Sequence, residues 1–176
     1  MIRIIIIFLT FNVWAFGQIS QNKKIGNRIE GNFSGNGQKI TATAIKIKNG
    51  KGNPVEDGTP DEYQIQFSDE KLRPINTGCC EIKLINEGDL NKDGIDEISI
   101  YQAPMNGCTY SMTTYSYING NWKKMIDTFM IPTGCDVINS DDLQKMIFRE
   151  KNNIYYLGKD MNDENGKLIK KKVRLK

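Results

Sequence analysis

A short loop rich in oxygen-bearing side chains, held between two segments of alternating polarity, is the feature that most constrains how this chain can fold. The loop extends from Asp89 to Glu97. Residues 81–85 before it mostly alternate between polar and apolar side chains, and residues 98–101 after it also alternate. A period of two is that of a β-strand, whereas a helix repeats every 3.6 residues. The sequence therefore predicts two β-strands joined by this loop.

The composition of the loop favours a hard cation, and Ca²⁺ above others, because oxygen ligands recur at every second position. We expect five residues to supply the ligands: the side chains of Asp89, Asn91, Asp93 and Glu97, and the backbone carbonyl of Ile95. Gly94 permits the sharp turn that such a loop needs. The alternative is a hairpin turn without metal, since Asp, Asn and Gly also favour tight turns for local backbone reasons.

The loop differs from an EF-hand and resembles another calcium motif. An EF-hand needs Glu at the twelfth loop position, and counting from Asp89 that position is Ile100. With a closing carboxylate at the ninth position and strands on both sides, the segment from Gly88 to Ile98 resembles the calcium loop of FG-GAP and VCBS repeats, the blade units of integrin-like β-propellers. The resemblance implies the same five ligands, with Asp96 as the substitute if Glu97 reaches too far.

A second glycine-rich segment, Gly31–Ile40, resembles this loop and is interpreted as a degenerate copy of it. Its first seven residues align without a gap with Gly88–Gly94. The positions that would need charged ligands carry Asn32, Ser34 and Asn36, and Ile40 falls at the closing position. Because calcium affinity depends on the number of charged ligands, we expect this first loop to be a turn that does not bind. The alternative is a coincidence between two Gly- and Asn-rich turns.

The beginning of the chain is typical of a signal peptide. One positive charge, Arg3, precedes an apolar run over residues 4–16 that is too short to span a bilayer, and small residues lie before Gln18. We expect cleavage after residue 17 and a mature exported domain over residues 18–176, in the periplasm or secreted into the medium. The mature part contains no segment apolar enough to cross a membrane.

The low net charge and the absence of histidine argue against several classes of partner and catalytic site. Loss of Arg3 lowers the formal net charge from +3 to +2, which is too mild to indicate nucleic acid as a partner. The chain has no His, so Ser-His-Asp and Cys-His nucleophile pairs and His-ligated metals are excluded. Catalysis by carboxylates alone is not excluded, although it needs two carboxyl groups facing each other across a cleft.

The four cysteines, Cys79, Cys80, Cys108 and Cys135, all lie in the expected mature chain, where export makes disulfides the default. Three connectivities are open. Neighbouring residues on a strand point to opposite faces, so we expect Cys79 and Cys80 to bond to different partners, with a bond between these two as the alternative. Their spacing, without Cys-x-x-Cys or His, argues against zinc.

Turn signals recur between short alternating segments, which predicts an antiparallel all-β fold. We expect ten strands, over residues 24–33, 39–48, 62–68, 80–86, 97–102, 113–118, 122–131, 145–150, 154–159 and 167–174. Asn119-Gly120 and Asn152-Asn153 are the expected hairpin turns, and residues 140–144 a short helical turn capped by Asn139 or Ser140. The chain is too short for a closed propeller, so we expect blade-like β-meanders packed as a compact sandwich or partial barrel and stapled by disulfides.

These features predict a non-enzymatic, exported Ca²⁺-binding β-domain that acts as a binding or structural module, with no catalytic residues. Its partner would be an unidentified protein or glycan of the cell envelope, and its oligomeric state is left open. The alternatives are a carboxylate-dependent hydrolase acting on envelope glycans and an envelope inhibitor or protective protein. The aromatic residues Tyr110, Tyr115, Tyr117 and Trp122 are expected to pack in the core, with stacking on a sugar ring as the alternative.

Overall fold

A computed structural model describes residues 23–136 and 138–174. The expected signal peptide and its cleavage point lie outside these described residues. The regular secondary structure of the described chain consists almost entirely of β-strands, with one short helix. In chain order the elements are β1 (Ile25–Gly26), β2 (Arg28–Gly31), β3 (Ile40–Lys48), β4 (Glu62–Phe67), β5 (Ile75–Gly78), β6 (Ile82–Gly88), β7 (Glu97–Gln102), β8 (Thr109–Ile118), β9 (Asn121–Pro132), α1 (Ser140–Leu143), β10 (Ile147–Glu150), β11 (Asn153–Lys159) and β12 (Leu168–Lys172).

A five-stranded antiparallel sheet of order β1-β6-β7-β8-β9 forms the centre of the molecule. Its strands β6 to β9 follow one another as hairpins. The β8–β9 hairpin turns at Asn119 and Gly120, whose φ angles of 52° and 76° are those that a two-residue hairpin turn of this kind requires. The predicted turn at this position is therefore confirmed.

Two smaller sheets cover the central sheet, one on each face. The four-stranded sheet β2-β3-β4-β5 shares one buried core with Ile82, Leu84, Ile98 and Ile100 of the central sheet. The three-stranded sheet β10-β11-β12 and the helix share a second core with the opposite face, where Ile85 and Met112 lie. Successive residues of a strand point to opposite faces, so Leu84 and Ile85 contribute to different cores. The result is a sandwich of three β layers.

The predicted antiparallel all-β class and sandwich packing are confirmed, and so is the helical turn, which Asn139 caps by accepting a hydrogen bond from the Asp142 amide at 2.9 Å. Several of the predicted strand and turn boundaries were wrong. The first expected strand is divided at Asn27, and the pairing of Glu150 with Asn153 places the turn between β10 and β11 one residue earlier than expected. Strand β5 was not predicted.

The aromatic residues mostly pack inward, as expected. Trp122 stacks on Phe67 with ring centroids 4.9 Å apart and contacts Tyr117, against the core of the four-stranded sheet. Tyr110 stacks on Tyr101, with 4.7 Å between the ring centroids, against the opposite core. These rings therefore serve as packing between layers.

Two disulfides join Cys79 to Cys80 and Cys108 to Cys135. The expectation that Cys79 and Cys80 bond to different partners was wrong. It assumed that both side chains alternate along a strand, but β5 ends at Gly78 and β6 begins only at Ile82. The two cysteines lie in the bend between these strands, where the alternation of faces does not apply.

Candidate metal centre

The candidate loop joins two central strands at a fixed register. Strands β6 and β7 are antiparallel, and Gly88 pairs with Glu97 across the mouth of the loop. Leu90 is buried in the core, and its carbonyl accepts a hydrogen bond from Arg149 Nη1 at 3.0 Å. Gly94 has a φ of 87°, and no atom lies within 4 Å of the place where a Cβ would be, so glycine is needed there for the backbone conformation alone.

Three of the predicted ligand side chains wrap around the turn. Asp89 accepts hydrogen bonds from the amides of Asp93 at 3.0 Å and Gly94 at 2.9 Å. Asn91 Oδ1 accepts from the Asp93 amide at 2.9 Å, and Asp93 Oδ1 accepts from the Ile95 amide at 2.9 Å. The side chains of Asn91 and Asp93 also touch, with 2.8 Å between Nδ2 and Oδ2. These bonds hold the loop closed and direct the side-chain oxygens at N–H groups of the loop itself.

Glu97 is the last residue of the loop and is fully buried, with 0% of its surface exposed. Its Oε2 accepts a hydrogen bond from the Leu90 amide at 2.7 Å, and its Oε1 accepts one from the Ser116 hydroxyl at 2.9 Å. Burial raises the pKa of Glu97 to about 8, and the nearby charges of Asp93 and Asp89 contribute in the same direction. Burial and, to a smaller extent, the charges of Asp93 and Asp89 therefore make ionisation of Glu97 costly.

Asp96, the predicted substitute for Glu97, faces away from the candidate centre. Its Oδ2 accepts hydrogen bonds from the Asn32 amide at 2.8 Å and from Asn86 Nδ2 at 3.2 Å. Asn32 also donates from its own Nδ2 to the Gly94 carbonyl at 2.7 Å. Asp96 thus joins the candidate loop to the similar first loop, and Glu97 is the carboxylate that bonds to the Leu90 amide of the candidate loop.

The fold brings the predicted ligand residues to one loop, but their side chains do not form a finished cage. Within residues 23–136 and 138–174, no three His, Cys, Asp or Glu side chains are arranged to hold a metal ion. The ligand set of Asp89, Asn91, Asp93, Ile95 and Glu97 stays a prediction, and the sequence interpretation missed Ser116. The register that pairs Ile98 with Tyr115 places Ser116 opposite Glu97, so knowledge of the β7–β8 pairing would have identified it.

A second buried carboxylate, Glu87, lies next to the candidate loop. Only 1% of its side chain is exposed, and its Oε2 lies 2.5 Å from Lys23 Nζ, which also donates to the Ile147 carbonyl at 2.5 Å. Burial raises the pKa of Glu87, and the Lys23 ammonium opposes this shift. Lys23 therefore neutralises Glu87 with a charge of the chain itself.

Comparisons with models of known protein families, with curated proteins and with solved structures find no match for this chain. In the part of the chain that the structure describes, no helix has the length and apolar character needed to cross a membrane.

Proposed function

We propose that this protein is an exported Ca²⁺-binding β-domain without enzymatic activity, in which the ion braces the loop between β6 and β7. One observation carries the proposal: Glu97 is fully buried beneath a loop whose Asp89 and Asp93 side chains make its ionisation still more costly. Asp89, Asn91, Asp93 and Glu97 would hold the ion together with the Ile95 carbonyl, and Ca²⁺ would supply the positive charge.

The electrostatic contrast with Glu87 supports this proposal. A buried carboxylate is costly unless it is paired or coordinates a metal. Glu87 has Lys23 at 2.5 Å, whereas the groups that contact the Glu97 carboxylate are the neutral Leu90 amide and Ser116 hydroxyl. A divalent cation in the loop would favour the ionised form of Glu97, in the way that the Lys23 ammonium favours the ionised form of Glu87.

The position of the loop suggests what a bound ion would do. Strands β6 and β7 contribute Leu84 and Ile98 to one core, and Leu90 in the loop is buried in the other. An ion that fixes the loop would therefore stiffen the point where all three layers meet. This is a structural role, and it would keep a nearby surface ordered for an envelope protein or glycan.

The proposal is tested by thermal unfolding of the mature protein with increasing Ca²⁺. Extracellular calcium modules bind at about 10⁻⁴–10⁻³ M, and ligand at ten times its Kd adds about 1.4 kcal/mol of stability. We expect a rise in Tm of roughly 3–6 °C in several millimolar Ca²⁺. Asp93→Asn and Glu97→Gln keep the size of each side chain and should abolish most of that rise.

Two matched control variants test whether the Ca²⁺-dependent rise in Tm is specific to the candidate ligands. Asn36→Ala lies in the first loop and should keep the full Ca²⁺-dependent rise. Asp96→Asn changes a neighbouring carboxylate that bonds to Asn32, so it should lower the starting Tm and leave the rise intact. An unchanged Tm of the unmodified protein in millimolar Ca²⁺ means that the loop is only a turn, and the calcium proposal is then wrong.

The alternative of a hydrolase needs two carboxyl groups across a cleft. Among the described residues, one cleft of about 240 Å³ is lined by a single carboxylate, Glu81, and another of about 290 Å³ is lined by none. Neither cleft favours the hydrolase over the calcium module, and the hydrolase and inhibitor stay alternative hypotheses.

A further inference from the structure

The cleft of about 290 Å³ lies where the four-stranded sheet stops short of covering the central sheet. Strand β5 is the edge of the four-stranded sheet, and the central sheet continues beyond it through β8 and β9. Asn76 of β5 forms one wall, while Gln102 and Thr113 of the central sheet form part of the floor. Since Gln102 ends β7 and Glu97 begins it, the cleft lies at the opposite end of this strand from the candidate metal centre.

The wall and floor of the cleft are fixed to each other. Gln102 Nε2 donates to the Thr77 carbonyl of β5 at 3.0 Å and also to the Cys79 carbonyl. The Thr113 hydroxyl shares a hydrogen bond of 2.8 Å with the Thr128 hydroxyl. These contacts hold the lining side chains in place, so a ligand would meet a preformed surface, which lowers the entropy lost on binding.

Several polar groups in the cleft keep hydrogen-bonding capacity. The Tyr115 ring is half-buried, and within residues 23–136 and 138–174 its hydroxyl has no hydrogen-bond partner. Gln102 uses its amide nitrogen for Thr77 and Cys79, which leaves Oε1 as an acceptor. Asn76 uses Oδ1 to accept from Gln64 Nε2 at 2.7 Å, which leaves Nδ2 as a donor. The Lys124 ammonium also lines the cleft, so the lining offers both donors and acceptors, while Ile100, with 3% of its surface exposed, adds little apolar surface.

We propose that this cleft binds a single hydroxylated sugar ring. Each hydroxyl group of a sugar both donates and accepts, which matches the mixed set of Asn76, Gln102 and Tyr115, and the Lys124 ammonium is a further donor in the same cleft. An apolar ligand would leave these polar groups without partners, which is costly. The volume is at the lower end of the roughly 300–1,000 Å³ of ligand sites, so the cleft suits one ring of a glycan.

The test is a titration of ¹⁵N-labelled mature protein with glucose, galactose and N-acetylglucosamine at millimolar concentration, followed by NMR. A chelator is present, so the result does not depend on the calcium proposal. We expect at least one sugar to shift amide signals clustered at Thr77, Gln102, Thr113 and Tyr115. No shift with any of the three sugars, or shifts centred on other residues, would overturn the proposal.

Tyr115→Phe tests the chemistry of the cleft. Since the Tyr115 hydroxyl bonds to no described residue, its removal should leave folding unchanged and raise the Kd for the sugar about fivefold, as expected for one lost hydrogen bond. The matched control is Tyr155→Phe, which removes a hydroxyl from β11 in the three-stranded sheet and should leave the Kd unchanged. Equal Kd values for Tyr115→Phe and the unmodified protein would contradict the assigned ligand contact.

Discussion

The two disulfides should differ strongly in what they contribute to stability. Cys108 and Cys135 are 27 positions apart and bridge the two ends of the β8–β9 hairpin. A cross-link that closes a loop of this length restricts the unfolded chain by about 3.5 kcal/mol in the chain-entropy model. Cys79 and Cys80 are separated by one position, so their bond closes almost no loop and should contribute at most about 1 kcal/mol by the same model.

The perturbation is the replacement of each pair by serine, as C108S/C135S and as C79S/C80S, with the other bond left intact. Cys79, Cys80 and Cys108 are only half-buried and Cys135 is exposed, so loss of packing adds little. Each double variant is the control for the other, because both remove two sulfur atoms. We expect C108S/C135S to lose at least about 2 kcal/mol more than C79S/C80S.

Urea unfolding followed by circular dichroism measures this difference as the free energy of unfolding in water. The slope of that free energy with urea should be compared as well, because loss of a cross-link expands the unfolded state and exposes more surface. The slope should rise for C108S/C135S only. An equal loss of stability in the two variants, or a larger loss in C79S/C80S, would refute the loop-length argument.

Two further substitutions test the surroundings of the candidate centre. Gly31→Ala should destabilise the fold by about 1–3 kcal/mol, because its Cβ would lie 2.5 Å from Asn86 Nδ2 and 2.7 Å from Asp96 Oδ2; unchanged urea unfolding would contradict this. Lys23→Met should cost about 3–5 kcal/mol because it leaves the Glu87 carboxylate buried without an opposite charge, and adding Glu87→Leu should recover most of that loss in the same assay. If the double variant is no more stable than Lys23→Met, the ion pair is not the reason for the loss.

The strands with strong local patterns were predictable from the sequence. Residues 63–67 alternate cleanly and lie within β4, and Asn119-Gly120 specifies a hairpin because both residues tolerate positive φ. Strand β5 has only four residues and follows Pro74, so it carries too little pattern to be recognised. Its formation depends on pairing with β4, where Ile65 lies opposite Ile75. That contact is not local in sequence, so a window of residues cannot reveal it.

Only part of the candidate site was predictable from the sequence. The spacing of Asp89, Asn91 and Asp93 identified the loop and its strands because the turn chemistry is local. The sequence did not show which of the neighbouring carboxylates, Asp96 or Glu97, faces the loop, since successive residues of an extended chain point to opposite sides and the register decides between them. In the structure Glu97 accepts a hydrogen bond from the Leu90 amide of the candidate loop, whereas Asp96 accepts one from the Asn32 amide of the first loop.

The uncharged side chain of Asn32 in the first loop has a structural reason. Asn32 donates from Nδ2 to the Gly94 carbonyl, its amide donates to the Asp96 carboxylate, and its Oδ1 accepts from the Gly37 amide at 3.0 Å. An aspartate at position 32 would lose the donor to Gly94 and place a second carboxylate beside Asp96. The first loop therefore needs an amide where the candidate calcium loop has Asp89, because its side chain supports the neighbouring loop directly. The first loop thus holds the candidate calcium loop in position through the contacts of Asn32 with Gly94 and Asp96.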